Sequence, residues 1–147
     1  MKYLSILASL SVAIIMAPNA HGKAPIGRFV LDAKGETVAD KWTNRVWQRA
    51  IDGGAYTQAA AKTSCATLAL AGGGWRLPDM RELLSIVDRQ QLNPAIDPTA
   101  FPSTPAATFW SASSSAASSL YAWAIFFSSG GGELSEISNQ LRVRCVR

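Results

Sequence analysis

Two cysteines and one histidine are the side chains in this sequence best suited to nucleophilic, redox or metal chemistry. Cys65 and Cys145 lie far apart along the chain, and His21 lies near its amino terminus. His21 lies at the predicted cleavage site of the export signal described below and is expected to be lost with it. The inventory of the mature chain therefore excludes zinc sites and Cys–His or Ser–His catalytic pairs. Two cysteines in an oxidising compartment most often form one disulfide, and a free reactive thiol is the alternative. We therefore expect no metal and no cofactor.

Charged side chains that could form an acid–base pair cluster around a predicted helix in the middle of the chain. The bases are Arg76 and Arg144, and the acids are Asp79, Glu82 and Asp88. No nucleophile accompanies them, so we interpret them as ion pairs that fix this helix to a sheet.

Four tryptophans could stack against sugars, but each has apolar neighbours or lies at the end of a predicted element. They are Trp47, Trp75, Trp110 and Trp123. This arrangement favours core aromatic residues over a sugar-binding surface. Asp97 follows a proline turn, which predicts a side chain that accepts hydrogen bonds from the turn's backbone.

The first 22 residues have the features of an export signal. Lys2 provides a positive start, an apolar stretch follows over Leu4–Met16, and the small residues Ala20 and Gly22 fit a cleavage site. The apolar stretch is shorter than the ~18–20 residues that span a bilayer, which argues against a permanent membrane anchor. We therefore expect a signal peptide over 1–22, a single mature domain over 23–147, and a periplasmic, cell-surface or secreted location.

Composition and charge exclude several classes of protein. Hydrophobic residues make up 48% of the chain and charged residues 16%, which is too apolar for a disordered tail. The glycine, serine and proline content and the absence of a sustained heptad exclude a coiled coil. The net charge of +4 is modest and the basic residues are scattered, so nucleic-acid binding is not expected.

Hydrophobic periodicity and turn residues predict an α+β domain in which strands precede and follow two helices. The apolar face of the first helix is predicted to hold Ala61, Cys65, Leu68 and Ala69, and that of the second Met80, Leu83, Leu84 and Val87. Strands are predicted over Gly27–Leu31, Thr37–Ala39, Val46–Arg49, Thr108–Ser111, Tyr121–Ser128 and Leu141–Val146, and helices over Thr57–Leu70 and from a capping box at Asp79 to about Gln90.

The connections carry their own signals. Asn44 is predicted to adopt a left-handed conformation, and Gly130–Gly132 to turn the chain. The segment Gln91–Pro105 has four prolines and is expected to be irregular, whereas Ser113–Ser119 has the composition of a flexible linker.

An ordered set of short motifs resembles a known family. Any one of these motifs is weak, but their order covers about Gly27 to Arg147 and resembles the Lcl C-terminal domain family of exported bacterial proteins. The motifs are Gly27-Arg28-Phe29, Val46-Trp47-Gln48-Arg49, Trp75-Arg76-Leu77-Pro78, Pro94-Ala95-Ile96-Asp97, Phe109-Trp110-Ser111, Ala122-Trp123 and Val143-Arg144-Cys145-Val146-Arg147.

The resemblance implies a C-type-lectin-like fold, with two helices packed on a twisted, mostly antiparallel sheet. In that fold a disulfide joins the first helix to the last strand, which implies a Cys65–Cys145 bridge. Trp42 and Arg45 depart from the family's more compact turn before Val46, so the shape of this loop is not implied. The calcium motifs of sugar-binding C-type lectins are absent, so calcium-dependent lectin activity is not implied.

The segment after the second helix carries the candidate ligand-binding side chains. Small polar residues mixed with a few aromatic ones are typical of recognition surfaces, and loops on a rigid scaffold commonly carry binding. A solvated surface without a ligand is the alternative that this composition leaves open. The candidates are Tyr121, Phe126, Ser128, Ser129, Glu133, Ser135, Glu136, Ser138, Asn139 and Gln140.

Three hypotheses of function follow. The first is a metal-independent binding module that recognises a protein or glycan at the cell surface or in the periplasm. The second is a structural or assembly subunit that packs with itself, as a homo-oligomer, or with a fibre through Phe126 and the glycine turn. The third is a redox enzyme related to formylglycine-generating oxidases, which share the implied fold. The missing catalytic histidine and metal ligands argue against an enzyme.

Overall fold

A computed structural model describes residues 25–147, and the predicted signal peptide lies outside them. The described chain is an α+β domain with two helices, two three-stranded antiparallel sheets and one disulfide. The sheets have the strand orders β1-β2-β3 and β4-β5-β6, so the single sheet that we expected is divided into two. Within residues 25–147 no helix is long and apolar enough to cross a bilayer.

The first sheet forms from two consecutive hairpins, as predicted. Its strands are β1 (Phe29–Leu31), β2 (Thr37–Asp40) and β3 (Arg45–Gln48). The second hairpin turns at Asn44, whose φ of 55° confirms the predicted left-handed conformation.

Asp40 organises the loop that carries Trp42 and leads into β3. Its buried carboxylate accepts two hydrogen bonds from Arg28, one from the Trp42 amide and one from the Thr43 hydroxyl. Burial alone would raise the pKa of Asp40, but these donors outweigh it and hold the pKa below its usual value. The loop is therefore shaped by one ionised side chain.

Both helices are shorter than predicted. Helix α1 (Gln58–Ala66) begins at a Thr57 cap, and a separate 3₁₀ turn follows at Leu70–Gly72. The predicted inward face of α1 is confirmed for Ala61 and Cys65, which are fully buried, but Ala69 is exposed because the helix has ended before it.

Helix α2 (Met80–Ser85) confirms the predicted capping box. The Asp79 carboxylate accepts from the Glu82 amide, and the Glu82 carboxylate accepts from the Asp79 amide. The helix ends at Ser85 rather than near Gln90, because the Asp88 amide donates to the Ala95 carbonyl and the chain turns back. Leu83 is buried, and Met80, Leu84 and Val87 are half-buried beside it.

The second sheet contains one strand that the sequence prediction missed. Its strands are β4 (Thr108–Ser114), β5 (Tyr121–Phe126) and β6 (Gly131–Glu136). Strand β4 extends three residues beyond its predicted end and pairs with β5 around an irregularity between Trp110 and Ser114. Strand β6 pairs with β5 over its whole length, where we had predicted only a glycine turn and a loop.

The carboxyl-terminal segment is not the regular strand that we predicted. It makes isolated bridges instead: Leu141 pairs with Tyr56, Arg142 with Phe109, and Val146 with both Trp47 and Arg76. Because each bridge reaches a different element, this segment joins the first sheet, the edge of β4 and the loop before α2. A regular strand within one sheet could not make all four of these pairings.

Two hydrophobic clusters fill the interior, one on each side of β5. Ile125 belongs to the cluster that includes Leu83 of α2, whereas Ala122 and Ala124 belong to the cluster that includes Ala61 and Cys65 of α1. Side chains from both faces of β5 therefore reach the interior, although Tyr121 and Trp123 belong to neither cluster.

Three of the four tryptophans predicted as core residues are in these clusters. Trp47, Trp75 and Trp110 are buried. Trp123 is half-buried and belongs to neither cluster, which corrects its prediction as a core residue. It lies opposite Leu134 of β6, near the open side of the sheet.

The disulfide implied by the family resemblance is present. Cys65 of α1 is bonded to Cys145 of the carboxyl-terminal segment across a sequence separation of 80, with both residues buried. The bond fixes α1 to the segment that bridges the remaining elements. Since the two cysteines are joined, the described chain has no free thiol.

Arg144 does not form the ion pair that we predicted. Its guanidinium is fully buried and donates to the carbonyls of Gln48 and Arg49 at 2.6 Å and to the Thr104 hydroxyl at 2.7 Å. Among residues 25–147 no carboxylate pairs with it, and it lies 4.8 Å from the ring centre of Phe101. Burial lowers the pKa of Arg144 to about 9. Backbone carbonyls take the place of the expected acid because the carboxyl-terminal segment runs beside the end of β3.

Glu82 provides the ion pairing predicted between the helix and the sheet. Its carboxylate accepts two hydrogen bonds from Arg76, at 2.6 and 2.7 Å, and one from Arg45 of β3 at 2.8 Å. These donors, Arg76 above all, lower the pKa of Glu82 from 4.5 to about 2. One acid in the first turn of α2 thus joins the helix to two other parts of the chain.

Reduction of the disulfide is expected to destabilise the domain strongly. In the chain-entropy account, opening a loop of this length lowers the free energy of unfolding by about 4–5 kcal/mol. Urea denaturation followed by tryptophan fluorescence, with and without a phosphine reductant, measures the change. The Cys65→Ser, Cys145→Ser double variant should behave like the reduced wild type in both conditions. Unchanged midpoints on reduction would contradict a structural role for this bond.

Glu82→Gln is expected to lower stability by about 1–2 kcal/mol at pH 7, because the charge-assisted hydrogen bonds are lost. The pKa of Glu82 is lower in the folded than in the unfolded chain, so its contribution is full above pH 4.5 and is lost as pH falls toward 2. Thermal unfolding between pH 7 and 2 should therefore show a weaker pH dependence in the variant. Glu36→Gln, at an acid outside the three ion pairs of the described chain, is the control. Parallel curves for wild type and Glu82→Gln would contradict this role.

Candidate functional site

The predicted ligand-binding residues all lie at the surface of the β5–β6 hairpin and the loop that follows it. Tyr121, Phe126, Ser128 and Ser135 are half-buried, and the other six are exposed. The hairpin separates them into three groups: five on the strands, Ser128 and Ser129 in the turn, and Ser138, Asn139 and Gln140 after β6. All ten candidates belong to one hairpin and the loop after it, but their side chains do not form one patch.

Four side chains share one face of the hairpin, which we call the β5–β6 face: Tyr121, Trp123, Leu134 and Glu136. The strand register places Tyr121 opposite Glu136 and Trp123 opposite Leu134. The Tyr121 hydroxyl donates to the Glu136 carboxylate at 3.3 Å. Leu134 is 45% exposed. The face therefore combines two aromatic rings, an aliphatic side chain and an acid, which is a composition suited to recognition.

The remaining strand candidates point to the opposite side of the hairpin. Phe126 packs over Gly131, where a Cβ atom would lie 2.6 Å from the ring. Glu133 accepts a hydrogen bond from Thr108 at 3.2 Å, and Ser135 accepts one from Asn139 at 3.0 Å. These contacts are local and brace the hairpin and its loop. The structure thus divides the predicted set between two faces.

Three exposed apolar residues near the site were missed by the sequence analysis. Leu134, Leu120 and Ile137 are 45%, 65% and 37% exposed. The alternation in the stretch from Glu133 to Glu136 was a signal for a strand, but the three preceding glycines favoured a turn. Without β6, nothing placed Leu134 opposite Trp123.

Close packing holds the hairpin in place. Gly130 has a φ of 79°, and a Cβ atom there would lie 2.3 Å from Val87, so only glycine fits this turn. The terminal methyl group of Met80 in α2 lies over Gly132, 2.7 Å from the position of an added Cβ atom. At the far end, the Gln58 amide at the start of α1 donates to the Ile137 carbonyl. Both ends of β6 are therefore anchored to a helix.

The hairpin is acidic although the chain as a whole is basic. No lysine or arginine occurs between Arg89 and Arg142, and the acids in that stretch are Asp97, Glu133 and Glu136. Asp97 is buried and accepts hydrogen bonds from the amides of Thr99 and Ala100, which confirms its prediction as a turn acceptor. The two exposed carboxylates therefore determine the sign of the charge on the hairpin.

A cleft lies beside the turn that ends α2. This cleft of about 460 Å³ is lined in part by Arg28, Phe29, Val87 and Asp88. Asp88 was predicted to form an ion pair, but it forms none: its Oδ1 accepts from the Gln90 amide, and its Oδ2 is buried without a hydrogen-bond partner in the described chain. The prediction was wrong because Asp88 belongs to the turn that ends α2 and accepts its hydrogen bond within that turn.

The part of the chain that the structure describes contains no cluster of metal-binding side chains. No group of three or more histidine, cysteine, aspartate or glutamate side chains is placed to hold an ion there. Hydrogen bonding, aromatic contact and backbone pairing are the interactions that the hairpin offers to a ligand.

Comparison with known proteins agrees with the motifs. No curated protein matched the chain. The model of the Lcl C-terminal domain matches residues 36–147, which include both cysteines, both helices and the whole β5–β6 hairpin. The match covers most of the described domain, and the chain belongs to the Lcl C-terminal domain family.

Proposed function

We propose that this protein is an exported, metal-independent recognition module with a C-type-lectin-like fold, and that it binds a protein or glycan through the β5–β6 face. The observation that carries the proposal is the β5–β6 face itself: Trp123 and Leu134 lie opposite each other outside both hydrophobic clusters, beside Tyr121 and Glu136. Exposed aromatic and aliphatic side chains with a polar neighbour commonly form the centre of a binding site.

The scaffold supports this proposal. The disulfide and the anchored ends of β6 hold the face on a rigid frame, so little conformational entropy is lost when a ligand binds. A disulfide in a small domain is also compatible with export to an oxidising compartment. Family membership is consistent with an extracellular module.

The disulfide favours recognition over the redox alternative. Both cysteines are buried and bonded to each other, which leaves no thiol for a redox cycle in the described chain. Titration of free thiols in protein isolated from its native compartment separates the two functions. About two thiols per chain would favour the redox enzyme, and none would favour the recognition module.

Assembly is the second candidate function, and the exposed apolar residues Leu120, Leu134 and Ile137 favour it. Self-association through these side chains would cover a surface that a monomer leaves in water. Sedimentation of the purified domain between low and high micromolar concentrations separates the candidates. A monomer that retains a ligand supports recognition, and a stable oligomer supports assembly.

Tyr121→Ala is expected to weaken ligand binding at least tenfold, because the ring and its hydrogen bond to Glu136 are both lost from the face. Binding is measured on protein and glycan arrays and then in solution with the strongest hit. Trp42→Ala removes an aromatic ring that is 64% exposed in the turn between β2 and β3 and should leave binding unchanged. EDTA should have no effect.

The Phe126→Ala variant tests which face of the hairpin binds the ligand. Phe126 points away from the β5–β6 face, so its loss should reduce binding much less than the loss of Tyr121. If Phe126→Ala abolishes binding while Tyr121→Ala does not, the ligand lies on the opposite face. If neither variant changes binding, the β5–β6 hairpin is not the site.

A further inference from the structure

Strand β6 is an open edge of the second sheet. The sheet order ends at β6, whereas the other outer strand, β4, is covered by the carboxyl-terminal segment through the bridge from Phe109 to Arg142. Four of the six residues of β6, including Glu133, Leu134 and Glu136, are exposed. A six-residue edge with free backbone groups is a template for another strand.

The strand register identifies the backbone groups that are free. Just after β6, the Ile137 amide donates to the Leu120 carbonyl at the end of the β5 ladder. Backbone groups in an antiparallel pair point alternately toward and away from the partner, so those of Gly132, Leu134 and Glu136 point away from β5. Within the described residues, no hydrogen bond from outside the hairpin reaches the backbone of Gly132 or Leu134.

The side chains of the edge show what kind of strand would fit it. Leu134 projects from one face and needs an apolar partner, while Glu133 and Glu136 project from opposite faces. No lysine or arginine of this chain lies between Arg89 and Arg142 to neutralise them. A complementary strand therefore carries a basic residue on each of its faces.

A second copy of the same strand fits poorly. Antiparallel pairing of two β6 strands centred on Leu134 would bring four glutamates together around two leucines, with no cation from the hairpin to offset their repulsion. Charged residues on an exposed edge commonly prevent such self-pairing. The same two glutamates attract a strand of opposite charge.

We infer that β6 accepts an extended, basic segment of a partner protein as a fourth strand of the sheet. The inference rests on the proposed recognition function and assigns a polypeptide as the ligand. In an antiparallel complex the partner strand has basic residues opposite Glu136 and Glu133 and an apolar residue opposite Leu134. Any residue fits opposite Ser135. From its amino to its carboxyl end the partner segment is therefore basic, any, apolar, basic. Backbone hydrogen bonds to Gly132 and Leu134 supply the attraction, and the two glutamates select the sequence.

The test uses the disulfide-bonded domain and the peptide Thr-Lys-Thr-Val-Lys-Thr, with binding followed by amide chemical shifts in an NMR titration. We expect the largest shifts at Gly132, Leu134 and Glu136. The peptide with both lysines replaced by glutamate should bind roughly tenfold more weakly or not at all, since each of two cross-strand charge pairs is reversed. A peptide methylated on the backbone nitrogens that face β6 should not bind.

Leu134→Pro tests the backbone contribution. The substitution removes an amide that points away from β5, so no hydrogen bond within the hairpin is lost, and an edge strand tolerates proline at such a position. The thermal midpoint should therefore stay close to that of wild type. Peptide affinity should fall more than tenfold. Leu134→Thr keeps the amide and is the matched control, with a smaller loss. If Leu134→Pro does not fold, Glu133→Lys, Glu136→Lys replaces it and should exchange the preference from the lysine peptide to the glutamate peptide.

The outcomes separate this inference from the proposed function. Equal affinity for the lysine, glutamate and methylated peptides, no binding of any peptide, or shifts confined to other surfaces would overturn strand addition. A dimer that Leu134→Pro dissociates would assign the edge to a second copy and also overturn it. If an array ligand binds the wild type but not Tyr121→Ala, and no peptide shifts the amides of β6, recognition through the β5–β6 face stands and only strand addition fails.

Discussion

The carboxyl-terminal segment is the constraint on which the rest of this structure depends. Within seven residues it pairs with β3 and with Arg76 through Val146, bonds covalently to α1 through Cys145, and donates from Arg144 to the backbone after β3. Arg147 adds hydrogen bonds to the carbonyls of Ala71 in the 3₁₀ turn and of Gly73 just after it. Because this segment contacts both sheets and is bonded to α1, it fixes the position of these elements relative to one another.

Arginine is used in this domain mainly as an internal donor. Arg28, Arg45 and Arg76 bind the carboxylates of Asp40 and Glu82, and Arg142, Arg144 and Arg147 bind backbone carbonyls. A guanidinium offers five donors in one plane, which suits it to joining several chain segments at once. The chain is basic in composition, but these six arginines are engaged in contacts within the fold. What remains at the β5–β6 hairpin is acidic, and the sign of the net charge does not describe the surface that we propose for binding.

The hairpin combines a firmly held position with an incompletely satisfied surface. Met80 and Val87 pack so closely on Gly132 and Gly130 that larger residues cannot replace these glycines without displacement of a neighbour. The outer edge of β6 and the side chains of Leu134 and Trp123 have no comparable cover in the described chain. A rigid element with unsatisfied backbone and apolar groups loses little entropy on binding, and this is the physical basis of the recognition function proposed for this member of the Lcl C-terminal domain family.

Interactions between residues close in sequence were enough to predict some features of the structure and not others. The capping box at Asp79, the left-handed Asn44 and the buried face around Cys65 depend on neighbours within one or two turns, so the sequence determined them. The order of the motifs likewise determined the family and implied the disulfide. Tertiary structure alone decided that Arg144 binds carbonyls, that the glycines after the turn begin a strand, and that the candidate residues lie on two faces. Each of these features depends on which segment, distant in sequence, packs against the residue in question. A single sequence carries no local signal for such long-range contacts.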